Sequence, residues 1–195
     1  MGALAGKKVY LVGDSWVAGA AGRALSAALH AEGAEVHISG VVGRTSRALA
    51  HDTSFSRNAR GLHPDVILYL IGINDDPSTY AARIIANYTR LRDVAQTVGA
   101  DAWVIPNTMF KEPYLTRIAM VGEAQRGAFG DHVLDTRGLA DEGDFDGSGY
   151  HLHRAGAERW AARLLPRLLA AMQAAPVAPL DTVGRLLMGL VPGSR

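Results

Sequence analysis

Four residues stand in this chain where they could carry out nucleophilic acyl chemistry together: Ser15, His151, Asn74 and Gly43. Ser15 closes the tripeptide Gly13-Asp14-Ser15, which follows the apolar run Val9-Tyr10-Leu11-Val12 and leads into a small-residue segment of helical spacing. A serine hydroxyl is a weak nucleophile until a base takes its proton, and neutral imidazole is the side chain best suited to that task at pH 7. His151, in Asp146-Gly147-Ser148-Gly149-Tyr150-His151-Leu152, is the candidate base. Asn74, in Gly72-Ile73-Asn74-Asp75, offers a side-chain amide to a developing oxyanion. Gly43, in Val42-Gly43-Arg44-Thr45, offers a backbone N–H that no side chain shields. Each also has a plainer reading. Asp14 and Ser15 are good helix N-caps, Gly43 suits a turn, Asn74 and Asp75 suit an Asx turn, and a histidine beside a helix is commonly a satisfied structural residue.

The elements that must position these groups follow from the hydrophobic pattern. Short apolar runs at 9–12, 35–39, 65–71, 102–105 and 132–135 alternate with segments of helical periodicity at 17–31, 78–98 and 154–172. That alternation is the signature of βαβ units and of a parallel sheet covered on both faces. The pattern predicts an α/β, flavodoxin-like three-layer sandwich with a five-stranded parallel sheet, since right-handed crossovers leave few other arrangements. The run 65–71 is long, β-branched and aromatic, which predicts a central strand. Ser15, Gly43 and Asn74 all fall just after predicted strands, at the carboxyl edge where such sheets bind ligands.

Composition narrows the function classes. A chain of 195 residues fits one domain, and its lack of cysteine excludes disulfides and thiolate chemistry. Lys+Arg 20 against Asp+Glu 19 gives +1 with no basic stripe, so no nucleic-acid partner is expected. No apolar run reaches the ~18 residues of a membrane span, and no signal peptide precedes the first strand. The expectation is a cytoplasmic protein by default, with export by a non-Sec route left open. Residues 1–173 form the expected single domain. Residues 174–195 differ: Pro176 and Pro179 precede Leu180, Val183, Leu186, Leu187, Leu190 and Val191 at helical spacing. This Pro-containing tether and short amphipathic segment either docks on the protein's own surface or offers residues 180–191 to a protein partner.

Taken together and in this order, the blocks resemble the SGNH (GDSL-type) hydrolase family. Gly13-Asp14-Ser15 is similar to its nucleophile block, Gly43 to the second block's glycine, Gly72-Ile73-Asn74-Asp75 to the third, and His151 with Gly156 to the last. The resemblance implies the SGNH fold and serine-dependent hydrolysis of carboxylic esters through an acyl-enzyme, including deacetylation of a carbohydrate or cleavage of a short-chain acyl ester. It implies Ser15 as nucleophile, His151 as base, and an oxyanion hole from the Ser15 and Gly43 N–H groups and the Asn74 amide. It implies no cofactor and no metal, and a small-molecule or glycan ester as substrate. In the family the catalytic acid usually lies three residues before the histidine, where this chain has Ser148. Either Asp146 reaches His151 across a longer loop, or the site is a Ser-His dyad.

Trp16, Arg44, Met109, Phe110 and Tyr150 are expected at the crevice rim, with Arg44 placed to attract an anionic substrate such as an acidic glycan. Two other functions use the same features. An acyltransferase would share the serine machinery, and a non-catalytic module would hold a phosphate or glycan at the helix N-terminus. A rival reading of the last loop takes Asp144-Phe145-Asp146-Gly147-Ser148-Gly149 as the start of an EF-hand-type calcium loop, although its twelfth position is Ala155.

Overall fold

β1 (Lys8–Gly13), β2 (Glu35–Gly40), β3 (Val66–Leu70) and β4 (Asp101–Val104) pair in parallel in the order β2-β1-β3-β4. Around them pack α1 (Ser15–Ala18), α2 (Ala20–Ala31), α3 (Ser46–Ala50), α4 (Thr53–Leu62), α5 (Ala81–Thr97), α6 (Tyr114–Phe129) and α7 (Arg154–Ala174). The structure, a computed structural model, describes residues 2–76, 78, 81–109 and 111–174. Phe110 and the segment 180–191, with its two expected roles, lie outside the described residues.

The apolar runs create two cores because successive strand residues face opposite sides. From β3, Val66, Leu68 and Leu70 join Leu25 and Leu29 of α2 and Trp160, Leu164 and Leu168 of α7. Ile67 and Tyr69 point the other way, to Phe55 of α4, Tyr88 and Leu91 of α5, and Val121 and Phe129 of α6. Every residue of β3 is buried, as its uninterrupted apolar sequence and central place require. The strand order turns back between β1 and β3, which opens the carboxyl edge of the sheet there.

Two expectations about the elements are corrected. The sheet has four strands among the described residues, not five. The run 132–135 contributes one parallel bridge, Val133 to Val104, and the Leu134 N–H bond to the Val104 carbonyl. It goes no further because β4 gives way to Pro106, which has no N–H, and Asp135 folds into a turn with the Arg137 amide. The helical pattern 17–31 is two helices, broken at Gly19, whose backbone is extended. Among the described residues no helix is long and apolar enough to cross a membrane.

Candidate active site

Ser15 opens α1 directly beyond β1. Gly13 makes the approach possible, since a Cβ there would lie 1.9 Å from the Leu70 carbonyl oxygen of the neighbouring strand. Asp14 caps the helix, its Oδ1 accepting the Trp16 N–H at 2.9 Å. Ser15 is left half-buried, with its hydroxyl 2.8 Å from His151 Nε2. With the imidazole proton on Nδ1, Nε2 is the acceptor of that hydrogen bond.

A tight hairpin brings the histidine there from the far end of the chain. Phe145 and Leu152 form an antiparallel bridge. Inside it the Asp146 N–H bonds the His151 carbonyl at 2.8 Å and the Gly149 N–H bonds the Asp146 carbonyl at 3.0 Å. Trp16 ties this hairpin to α1: its indole N–H donates to the Tyr150 carbonyl at 2.9 Å, while its ring packs edge-on against Phe145 and Trp160. The Tyr150 ring lies over the imidazole with 4.3 Å between centroids.

Asp146 shares the recess with Ser15 and His151, a cavity of about 330 Å³. Its Oδ1 accepts both the amide and the hydroxyl of Ser148, and no hydrogen bond joins it to the imidazole. Partial burial raises the Asp146 pKa, but the Ser148 hydroxyl and amide and the nearby His151 charge outweigh that and hold it below the usual range. The first position of the calcium-loop reading, Asp144, is already bound within the protein. Asp144 is buried against α7, its Oδ1 gripped by Arg159 at 2.7 and 2.5 Å and its Oδ2 accepting the Asp141 N–H. Its carboxylate is thereby turned out of the loop that would have to encircle a cation.

The two loops that follow β2 and β3 are clamped together. Gly43 takes φ +74 in an exposed turn closed by the Arg44 N–H to the Val41 carbonyl. One hydrogen of the Asn74 amide goes to the Arg44 carbonyl at 3.1 Å, which leaves the other free to donate. Next to it, buried Asp75 accepts the Ser46 N–H at 2.7 Å, and its second oxygen lies 3.2 Å from the Tyr88 hydroxyl. Gln125 holds that phenol and the Ile71 carbonyl from behind. Burial raises the Asp75 pKa against the opposing pull of Ser46 and Tyr88.

Asp14 is fully buried, its Oδ2 has no hydrogen-bond partner, and burial pushes its pKa up to about 7 despite the Trp16 and Gly72 amides. The folded protein therefore holds a proton on Asp14 that the unfolded chain releases near the ordinary value of 3.8. Stability contributed by this group is full below pH ~4, falls as pH rises to about 7, and then levels. The stability of Asp14→Asn relative to the parent should grow across that window and hold constant above it. Denaturant midpoints at pH 4, 5.5, 7 and 8 measure this, and a pH-independent difference would refute it.

The expected rim residues divide. Tyr150 is half-buried beside His151. Trp16 lines the recess with Ser15 and His151, but at 1% exposure most of its ring is packed into the core. Met109 is buried and lines a separate cavity with Asn107, Thr108 and Ile118. Arg44 is half-buried, its Nη2 paired with Asp52 at 3.0 Å and its buried Nη1 without a hydrogen-bond partner among the described residues. The residues that sequence reasoning missed are Asp75, as the clamp on the Gly43 loop, and Trp16 in its anchoring role. The carboxylate directly after Asn74 was readable but its burial was not, and neither was the indole's partner, 134 residues away.

No model of a known protein family matches the chain, and no curated protein sequence does. Solved structures do match its fold. An α/β hydrolase enzyme from the metagenome of Lake Arreo, Spain, LAE5, superposes with a TM-score of 0.69 at 17% identity, covering 86% of this chain and 97% of its own. Axe2, an acetylxylan esterase from Geobacillus stearothermophilus, superposes with a TM-score of 0.67 at 17% identity over 86% of this chain and 96% of its own. A catalytic mutant of Axe2 gives 0.68 at 16% identity. The chain thus shares their fold, a parallel sheet flanked by helices, along nearly their full length.

Proposed function

We propose that the protein is a serine esterase of the SGNH type, acting on acyl esters that include acetylated carbohydrates. The observation that carries this reading is the 2.8 Å contact between Ser15 Oγ and His151 Nε2 at the carboxyl end of β1. Ser15 Oγ attacks the ester carbonyl as its proton passes to His151 Nε2. The oxyanion is received by the Ser15 N–H, which as the first helical amide has no partner within the helix, by the Gly43 N–H and by the second Asn74 amide hydrogen. The imidazolium then protonates the departing alcohol, and the C–O bond breaks to leave the acyl group on Ser15. Water, deprotonated by His151, releases the acid. The fold shared with an acetylxylan esterase supports glycan deacetylation within this class. Residues 1–173 constitute the hydrolase domain and residues 174–195 an appendage.

Covalent labelling by a fluorophosphonate tests the proposal. The adduct should form on Ser15 and be lost in His151→Ala, and an unlabelled Ser15 in folded protein would overturn it. Transfer to a sugar hydroxyl in place of water uses the same intermediate, and acyl-acceptor competition during turnover separates the two.

Asp146 acts on this reading through space, since its carboxylate bonds Ser148 and not the imidazole. An exposed charge of this kind contributes little, so Asp146→Asn should lower kcat only about three- to tenfold. A loss of several orders of magnitude in aryl-ester turnover would mean instead that the carboxylate bonds His151 in the working enzyme.

A further inference from the structure

We propose that the recess beside Asn74 binds a carboxylate carried by the ester substrate, with Arg47 and Arg83 as its ligands. The inference rests on the esterase reading and deepens it. The recess, of about 700 Å³, lies where α3 meets α5, and its lining includes Thr45, Asn74, Asn87 and the two arginines. On the esterase reading Asn74 donates to the oxyanion, and it lines this recess, so a substrate held at Ser15 lies next to it.

The recess holds an excess of hydrogen-bond donors. Arg47 and Arg83 are exposed, and among the described residues neither guanidinium has a hydrogen-bond or ion-pair partner. Asn87 makes one long contact, 3.5 Å to the Ser46 hydroxyl, and Thr45 accepts the Ala48 N–H, leaving its own hydroxyl proton free. The two carboxylates in the same wall have partners of their own. Asp75 faces Ser46 and Tyr88, and Asp76 accepts both the amide and the hydroxyl of Ser78 at 2.9 and 2.8 Å. Two planar guanidiniums with no partner among the described residues match a carboxylate, which accepts pairs of parallel N–H bonds. Arg44, the arginine nearest Gly43 in sequence, does not line this recess and pairs with Asp52.

The test compares the parent with Arg47→Gln/Arg83→Gln on two matched ester pairs. One pair carries the charge on the acyl part, 4-nitrophenyl hemiglutarate against 4-nitrophenyl valerate. The other carries it on the alcohol part, 4-acetoxybenzoate against 4-acetoxybenzamide. For at least one pair the anionic-to-neutral ratio of kcat/KM should fall about tenfold in the double variant, and in the parent it should fall with added salt. The pair that responds identifies which side of the ester enters the recess. Unchanged ratios in both pairs, or an equal loss on charged and neutral members, would overturn the inference. Failure of the esterase reading is seen separately, as neutral-ester hydrolysis that does not depend on Ser15.

Discussion

Ser15→Ala is expected to lower kcat for an aryl acetate by about 10⁴- to 10⁶-fold, and His151→Ala to fall within roughly a factor of ten of it. The two losses should be similar because the residues act as one unit. Ser15 without a base is a poor nucleophile, and His151 without Ser15 has no bound group to deprotonate. For the same reason the double variant should be no slower than the worse single one. Any residual rate above that of water belongs to the oxyanion donors and to substrate binding. Folding should be little affected, since Ser15 is only half-buried and its hydroxyl has one side-chain partner, His151. Steady-state turnover with a matched thermal melt makes the measurement. Undiminished turnover in purified, folded Ser15→Ala would remove the proposed mechanism altogether.

The parts of this arrangement that depend on strand ends were legible in the sequence. Val66 to Leu70 is apolar without interruption because both of its faces are covered, so its centrality could be read directly. Ser15, Gly43 and Asn74 each follow a strand of one parallel sheet, and parallel strands deliver their carboxyl ends to one edge. Other features depend on contacts that local pattern does not encode. The run 132–135 has a strand's composition, but its neighbour β4 ends too early to pair with more than Val133. Trp16 lines the recess beside Ser15 while its indole N–H is taken by the Tyr150 carbonyl, and Arg44 pairs with Asp52. The place of Asp146 was ambiguous because the hairpin 145–152 positions His151 through backbone bonds, with the carboxylate engaged by Ser148.

Asn74→Ala is expected to reduce kcat by about 10² to 10³, with KM for a small ester changing little, because the amide meets charge that exists only in the transition state. The same substitution removes the bond to the Arg44 carbonyl, so part of the loss could come from a loosened Gly43 loop and not from the missing oxyanion donor. Asp75 separates the two contributions, since it clamps that loop through the Ser46 N–H without itself reaching the crevice. Asp75→Ala leaves a buried amide unpaired, which costs about 1–3 kcal/mol of stability, and it frees the loop while Asn74 remains. Asp75→Asn retains an acceptor oxygen for Ser46 and should recover most of both stability and turnover. If Asp75→Ala slows kcat much less than Asn74→Ala, the asparagine acts on the oxyanion directly. If the two variants are equally slow, the work at this edge of the sheet is done by the Gly43 turn, and Asn74 serves as a second strut beneath it.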